Sequence, residues 1–166
     1  MNQLIQALDP QLLAEGDTDP RYLGSPFVNL LRLGPKVRGT RYERITIQLM
    51  QQVGHDYQPR THSDHDARFD GVSYEIKGGM LNRNTDHFSF LQIRPNQLYD
   101  AMLFAMFYPH RVILMSMAKQ QVIANVDSGQ FRPQHGGVHG HSHTYVYYGN
   151  EHSLRAIGAQ LLHEIE

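Results

Sequence analysis

The stretch that decides the fold is Asp66-Ala67-Arg68-Phe69-Asp70-Gly71-Val72-Ser73-Tyr74-Glu75-Ile76-Lys77. Asp-Gly between two runs of strand-forming residues is a strong short-range hairpin signal, because both turn positions of the favoured two-residue loop need positive φ. A two-residue turn at Asp70-Gly71 sets Phe69 opposite Val72, Arg68 opposite Ser73, Ala67 opposite Tyr74 and Asp66 opposite Glu75. Alternation along the second strand places Ser73, Glu75 and Lys77 on one face and Val72, Tyr74 and Ile76 on the other. Two carboxylates and an amine therefore share a face. Directly opposed like charges repel by a few tenths to about 1 kcal/mol, so something is expected to offset them.

A divalent cation is one such partner. Mg²⁺ takes one or two carboxylates, waters and phosphate oxygens as ligands, and it lowers the pKa of a bound water. An amine beside it orients that water and stabilises charge developing on a phosphate. Phosphodiester hydrolysis uses each of these parts. The plainer alternative is a surface hairpin whose Glu75 and Lys77 are solvated and whose Asp66 only begins a strand.

Outward from the hairpin, the chain alternates helical and strand signals. Residues 1–35 read as short helices, a helical cap or dimerisation element, punctuated by Asp9-Pro10, by Gly16 to Pro20 and by Ser25-Pro26. Gly34-Pro35 reads as a stop. A firmer helix opens at Gly39-Thr40 and runs to about Val53, with Tyr42, Ile45, Leu49 and Val53 on one stripe. Gly78-Gly79 reads as a break after Lys77. Phe88–Ile93 is expected as a strand, Asn96–Tyr108 as a helix ended by Pro109, and Arg111–Met117 as a buried strand. Further strands are expected over Gln121–Val126 and Thr144–Tyr148. A last helix would carry Leu154, Ile157, Leu161 and Ile165. This predicts a single α/β domain over 1–166, with a mixed central sheet flanked by helices, a core over 40–117 and a Gly/His-rich loop over 127–143.

Asp66 followed by Glu75-Ile76-Lys77 resembles the bipartite signature of the PD-(D/E)XK nuclease superfamily, which includes many type II restriction endonucleases. The order of elements expected from Thr40 to Met117 is similar to that family's core, and Phe88 to Leu98 is similar to its strand, turn and helix with an early Gln. The resemblance implies that Asp66 and Glu75 bind the metal, that the Ile76 carbonyl is a further ligand and that Lys77 is the catalytic lysine. Glu43 matches a helix acid used by some members, and Gln92 matches a strand residue turned towards the site. His65 stands where the signature's name has Pro, which leaves Asp64 as the alternative acid; hairpin register prefers Asp66.

Glu43 also fits a capping box with Thr40, reaching back to the helix N-terminus. Arg94 and Gln97 either contact phosphate or cap a helix at Asn96. Arg132, Gln134, His135, His139, His141 and His143 are candidate DNA contacts in a flexible loop, where the histidines alternatively suit zinc or a solvent loop.

The resemblance implies a Mg²⁺-dependent endonuclease, with Mn²⁺ able to substitute, that cuts double-stranded DNA at a specific sequence, most simply as a type II restriction enzyme. Cutting both strands of a palindrome calls for a homodimer. Alternatives are a homing, nicking, junction-resolving or repair nuclease, or a non-catalytic DNA- or metal-binding module.

Composition bounds these readings without selecting one. The 166 residues carry 15 basic and 16 acidic side chains, 11 His and no Cys. A net charge of -1 does not announce a polyanionic partner, although twelve of the basic residues are Arg. Absence of Cys removes disulfides, thiolate nucleophiles and Cys-ligated metals. A mean hydropathy of -0.48 with no long apolar run predicts a cytoplasmic protein with no membrane partner.

Overall fold

The computed structural model describes residues 19–59, 65–134 and 144–166. Two short 3-10 helices, Pro20–Tyr22 and Val28–Arg32, precede helix α1, Pro35–Gln52. The strands are β1 (Tyr57–Gln58), β2 (Ala67–Phe69), β3 (Val72–Met80), β4 (Phe88–Ile93), β5 (Ala101–Phe107), β6 (Val112–Ala118), β7 (Arg132–Pro133), β8 (Tyr145–Gly149) and β9 (Gln160–Ile165). Helix α2, Lys119–Asp127, follows β6, and α3, Glu151–Ala156, follows β8.

Six strands form one sheet in the order β1-β2-β3-β5-β6-β9, parallel only between β3 and β5, and β4-β8-β7 form a second. The chain passes from β3 through β4 in the second sheet before returning as β5. The middle strands of the large sheet, β5 and β6, are buried on both faces. Leu103, Ala105 and Phe107 pack with Tyr42, Leu49 and Met50 of α1, whereas Met102, Phe104 and Met106 pack with Phe88 and Phe90 of β4, Val122 of α2 and Leu154 of α3. The sheet is therefore covered by α1 on one side and by a smaller sheet with two helices on the other, rather than by helices alone. It also curls. His55, just before edge strand β1, lies 2.8 Å from His163 on edge strand β9, nitrogen to nitrogen.

The hairpin has the expected register, Ala67 with Tyr74, Arg68 with Ser73 and Phe69 with Val72, and Asp70 and Gly71 take positive φ. Five other expectations are corrected. Gly34-Pro35 starts α1 instead of stopping a helix: Gly34 is the N-cap and Pro35 the first helical residue, where a missing N–H costs nothing. Ala101–Phe107 is a strand, not part of a helix, and all seven of its residues are buried. An unbroken apolar run between two covered layers has neither helical nor strand periodicity to read.

Gln121–Val126 lies in helix α2, with Val122 and Asn125 buried three residues apart. The last helix ends at Ala156, Gly158 takes a φ of +100°, and the chain continues as β9. Nor do Gly78 and Gly79 break the strand. A Cβ at Gly78 would lie 2.3 Å from the Tyr42 Cβ, so glycine there lets α1 approach β3 closely.

Gly78→Ala is expected to lower unfolding free energy by about 1–3 kcal/mol, through overpacking against a helix backbone that cannot yield cheaply. Gly39 is an exposed interior residue of α1 with open space at its Cβ position, and Gly39→Ala is expected to raise it by about 0.5–1 kcal/mol. Urea unfolding of the two variants beside wild type measures both signs.

Candidate functional site

Beyond the Ala67–Tyr74 pair the two chains stay together through Asp66. Its amide donates to the Tyr74 carbonyl at 2.9 Å, and its Oδ2 accepts from the Ile76 amide at 2.8 Å. Ile76 thus enters through its amide. Glu75, adjacent on β3, is 2% exposed, and its Oε1 accepts from Lys77 Nζ at 2.7 Å. Arg94, at the end of β4, brings Nη2 to 3.5 Å from the same oxygen. The structure thus joins three residues that the sequence put on one face, and adds Arg94.

Burial and the Glu75 charge push the Asp66 carboxyl up to about 6, with Glu43 adding to the rise and the Ile76 amide and Lys77 opposing it. Glu43 is partly buried on α1. Its capping alternative falls, because α1 begins at Pro35 and Thr40 is an interior residue whose hydroxyl donates to the Lys36 carbonyl at 3.4 Å. Among the described residues no group of three or more acidic or histidine side chains is arranged to hold a metal ion. Two hydrogen-bonded carboxylates remain, hard oxygen donors of the kind Mg²⁺ accepts when waters and phosphate complete its shell.

Other candidates lie elsewhere. A bulge between Phe90 and Ile93 gives Gln92 a φ of +55° and leaves its side chain exposed, off the buried face of Phe88 and Phe90. Its amide donates to Gln134 Oε1 at 2.8 Å, so both residues serve the contact between β4 and the end of β7. Arg132 is exposed on β7. Gln97 sits in a turn, not at a helix start, and its Oε1 is buried without a partner. Asp64, His135, His139, His141 and His143 lie outside the described residues. Asp70 is committed to His55 and to the Asp56 amide.

Sequence reading missed Tyr99 and Asp100, because a helix is expected where the connection from β4 to β5 runs, and Lys119, which starts α2 where a strand is expected from Gln121. Asp100 accepts from the Ser73 amide at 2.9 Å and hydroxyl at 2.7 Å, which hold its carboxyl below the usual range. Tyr99 is 4% exposed with an unpartnered hydroxyl, and burial together with the Glu75 charge pushes that hydroxyl up. Lys119 Nζ donates to the Gln97 carbonyl and stands 5.1 Å from the centre of the Tyr99 ring. A Ser-Asp pair at 73 and 100 carries no sequence signal; only the β3–β5 register brings the two together.

The chain matches no protein-family model and no curated protein.

An acid whose folded pKa lies above its unfolded value stabilises the fold fully below the unfolded pKa, and that contribution is lost as pH rises through the folded one. For Asp66 the window runs from about 4 to about 6. In EDTA, wild type should lose on the order of 2–3 kcal/mol more than Asp66→Asn across it. Chemical denaturation of both proteins at pH 4 and pH 7 gives that difference, and equal pH slopes would show that Asp66 is not perturbed.

Proposed function

We propose that this protein is a divalent-cation-dependent phosphodiesterase acting on DNA, an endonuclease of the PD-(D/E)XK kind. The observation that carries this reading is the hairpin itself: a partly buried Asp66 beside an almost fully buried Glu75, with Lys77 held at 2.7 Å on the same face. The order of elements adds less support. The helix before the hairpin, the hairpin and the following strand fit that family's core, but the helix expected next is replaced by a turn and β5.

Asp66 and Glu75 would hold Mg²⁺ or Mn²⁺, with the Ile76 carbonyl as a further ligand and Glu43 close enough for its charge to be felt. A bound ion would polarise the phosphate and supply hydroxide near neutral pH. Lys77 donates to Glu75, so an ion competing for that carboxylate would free the amine for the attacking water or the phosphate. Arg94, half-exposed and touching the same Glu75 oxygen as Lys77, could reach a phosphate oxygen. Glu75 is too buried to act on solvent directly, which suits a ligand better than a general base. Cleavage at a specific site on both strands would need a second copy of the chain related by a two-fold axis, as in a type II restriction enzyme.

Incubation with supercoiled plasmid and phage DNA tests the reading. Wild type should produce discrete fragments with Mg²⁺ and none with EDTA, and Lys77→Ala and Glu75→Gln should each cut at least about a hundredfold more slowly. Intact DNA across varied salt, pH and metal would overturn it. Smearing instead of discrete bands would retain the chemistry and remove the sequence specificity.

A further inference from the structure

We propose that the connection from β4 to β5, Arg94 to Asp100, forms a phosphate subsite in which the Tyr99 hydroxyl and the Arg94 guanidinium bind the anion beside Glu75. This rests on the reading above for its ligand class, but the residues that carry it are different ones.

Tyr99 is 4% exposed, and its hydroxyl has no partner among the described residues. A buried hydroxyl left unpaired costs folding free energy that phenylalanine would avoid. Its placement gives the hydroxyl a use. Tyr99 packs with Met102 and Phe104, on the face of the large sheet to which Glu75 and Lys77 also point. The Glu75 charge acts on it, and burial keeps it protonated, so it is a permanent donor. Glu75 receives Lys77 and Arg94 on Oε1, and the tyrosine hydroxyl is left as a donor for an arriving acceptor, having no partner among the described residues.

The surroundings favour an anion as that acceptor. Lys77 and Arg94 flank Glu75, and Lys119 stands over the Tyr99 ring. Two cations thus contact the buried carboxylate and a third stands over the tyrosine ring, against the charges of Glu75 and Asp66, and a metal ion on the acidic pair would tip that balance positive. Arg94 is 44% exposed, so its outward edge is open to ligand while the inner one touches Glu75. The segment is held at its middle and at one end: Lys119 binds the Gln97 carbonyl, and Asp100 binds Ser73. Gln97 Oε1, buried and unpartnered, is an acceptor and calls for a donor from the nucleotide rather than for the phosphate.

Two measurements on wild type and Tyr99→Phe decide the matter: thermal unfolding against inorganic phosphate with Mg²⁺, with chloride at matched ionic strength, and KM and kcat for plasmid cleavage. Tyr99→Phe removes only an unpaired hydroxyl, so its melting temperature without ligand should equal or exceed that of wild type. Its phosphate Kd should rise about tenfold, and its plasmid KM should rise with it. Unchanged phosphate affinity and unchanged KM in the variant would overturn the subsite while leaving the nuclease reading intact. Phosphate binding that depends on Tyr99 in a protein that never cuts DNA would do the reverse. Wild type that neither binds phosphate nor cleaves would remove both.

Discussion

A carboxylate with 2% exposure in the middle of a strand is the constraint on which the rest of the site depends. Withdrawing an ionised carboxylate from water costs several kcal/mol unless charge and hydrogen bonds replace its solvent. Around Glu75 the replacement comes from three directions: Lys77 two residues along the same strand, Arg94 from the end of the neighbouring layer, and Asp66 across the hairpin, whose raised proton affinity lessens the repulsion. A methionine at position 75 would satisfy the layer between β3 and β4 without any of them. Retention of a buried acid, with a second acid beside it, points to a ligand that exploits the arrangement.

The double coverage of the large sheet makes that burial possible. Glu75 pairs with Met102 and Lys77 with Phe104 across the parallel β3–β5 ladder, and both partners belong to the apolar layer under β4. Gly78 and Gly79 extend β3 past the site while letting neighbours close in from both sides, Tyr42 against the first and the β4 backbone against the second. A side chain at Gly78 would push α1 away from β3, whereas a Cβ at Gly79 would ask the β4 backbone to give by only a few tenths of an ångström. The glycines that looked like punctuation in the sequence instead set the thickness of the layers around the site.

How much could be read from the sequence depended on whether the signal was local. The hairpin was legible because Asp70-Gly71 fixes turn and register within a dozen residues, and the three central site residues follow from that register by alternation alone. Gly34-Pro35 was ambiguous in principle: the pair ends one helix or begins another equally well, and only the packing of the following eighteen residues decides. Ala101-Met102-Leu103-Phe104-Ala105-Met106-Phe107 offers apolar side chains on every face, so its strand conformation is a tertiary fact, set by pairing with β3 and β6. The loss of the expected helix there hid Tyr99 and Asp100. The bulge that turns Gln92 outward is likewise settled by β8 and Gln134, far away in sequence.

The curl of the sheet ties the site to the far edge of the molecule. Asp70, in the turn of the hairpin, holds His55, whose other ring nitrogen faces His163 on β9. Two imidazole nitrogens 2.8 Å apart can share one proton but cannot each carry one, so the chain of contacts exists only while at least one ring nitrogen is bare. Burial and the His55 charge hold His163 below its usual range, which favours the neutral ring. The hairpin is thereby fastened at its tip through Asp70 and at its base through the Asp66 bond to the Ile76 amide. Between those two points lie the four residues whose alternation sets Glu75 on the Asp66 side of the sheet. A frayed tip would leave that register to be held by three paired positions, so the link across the sheet edges supports the spacing of the two acids.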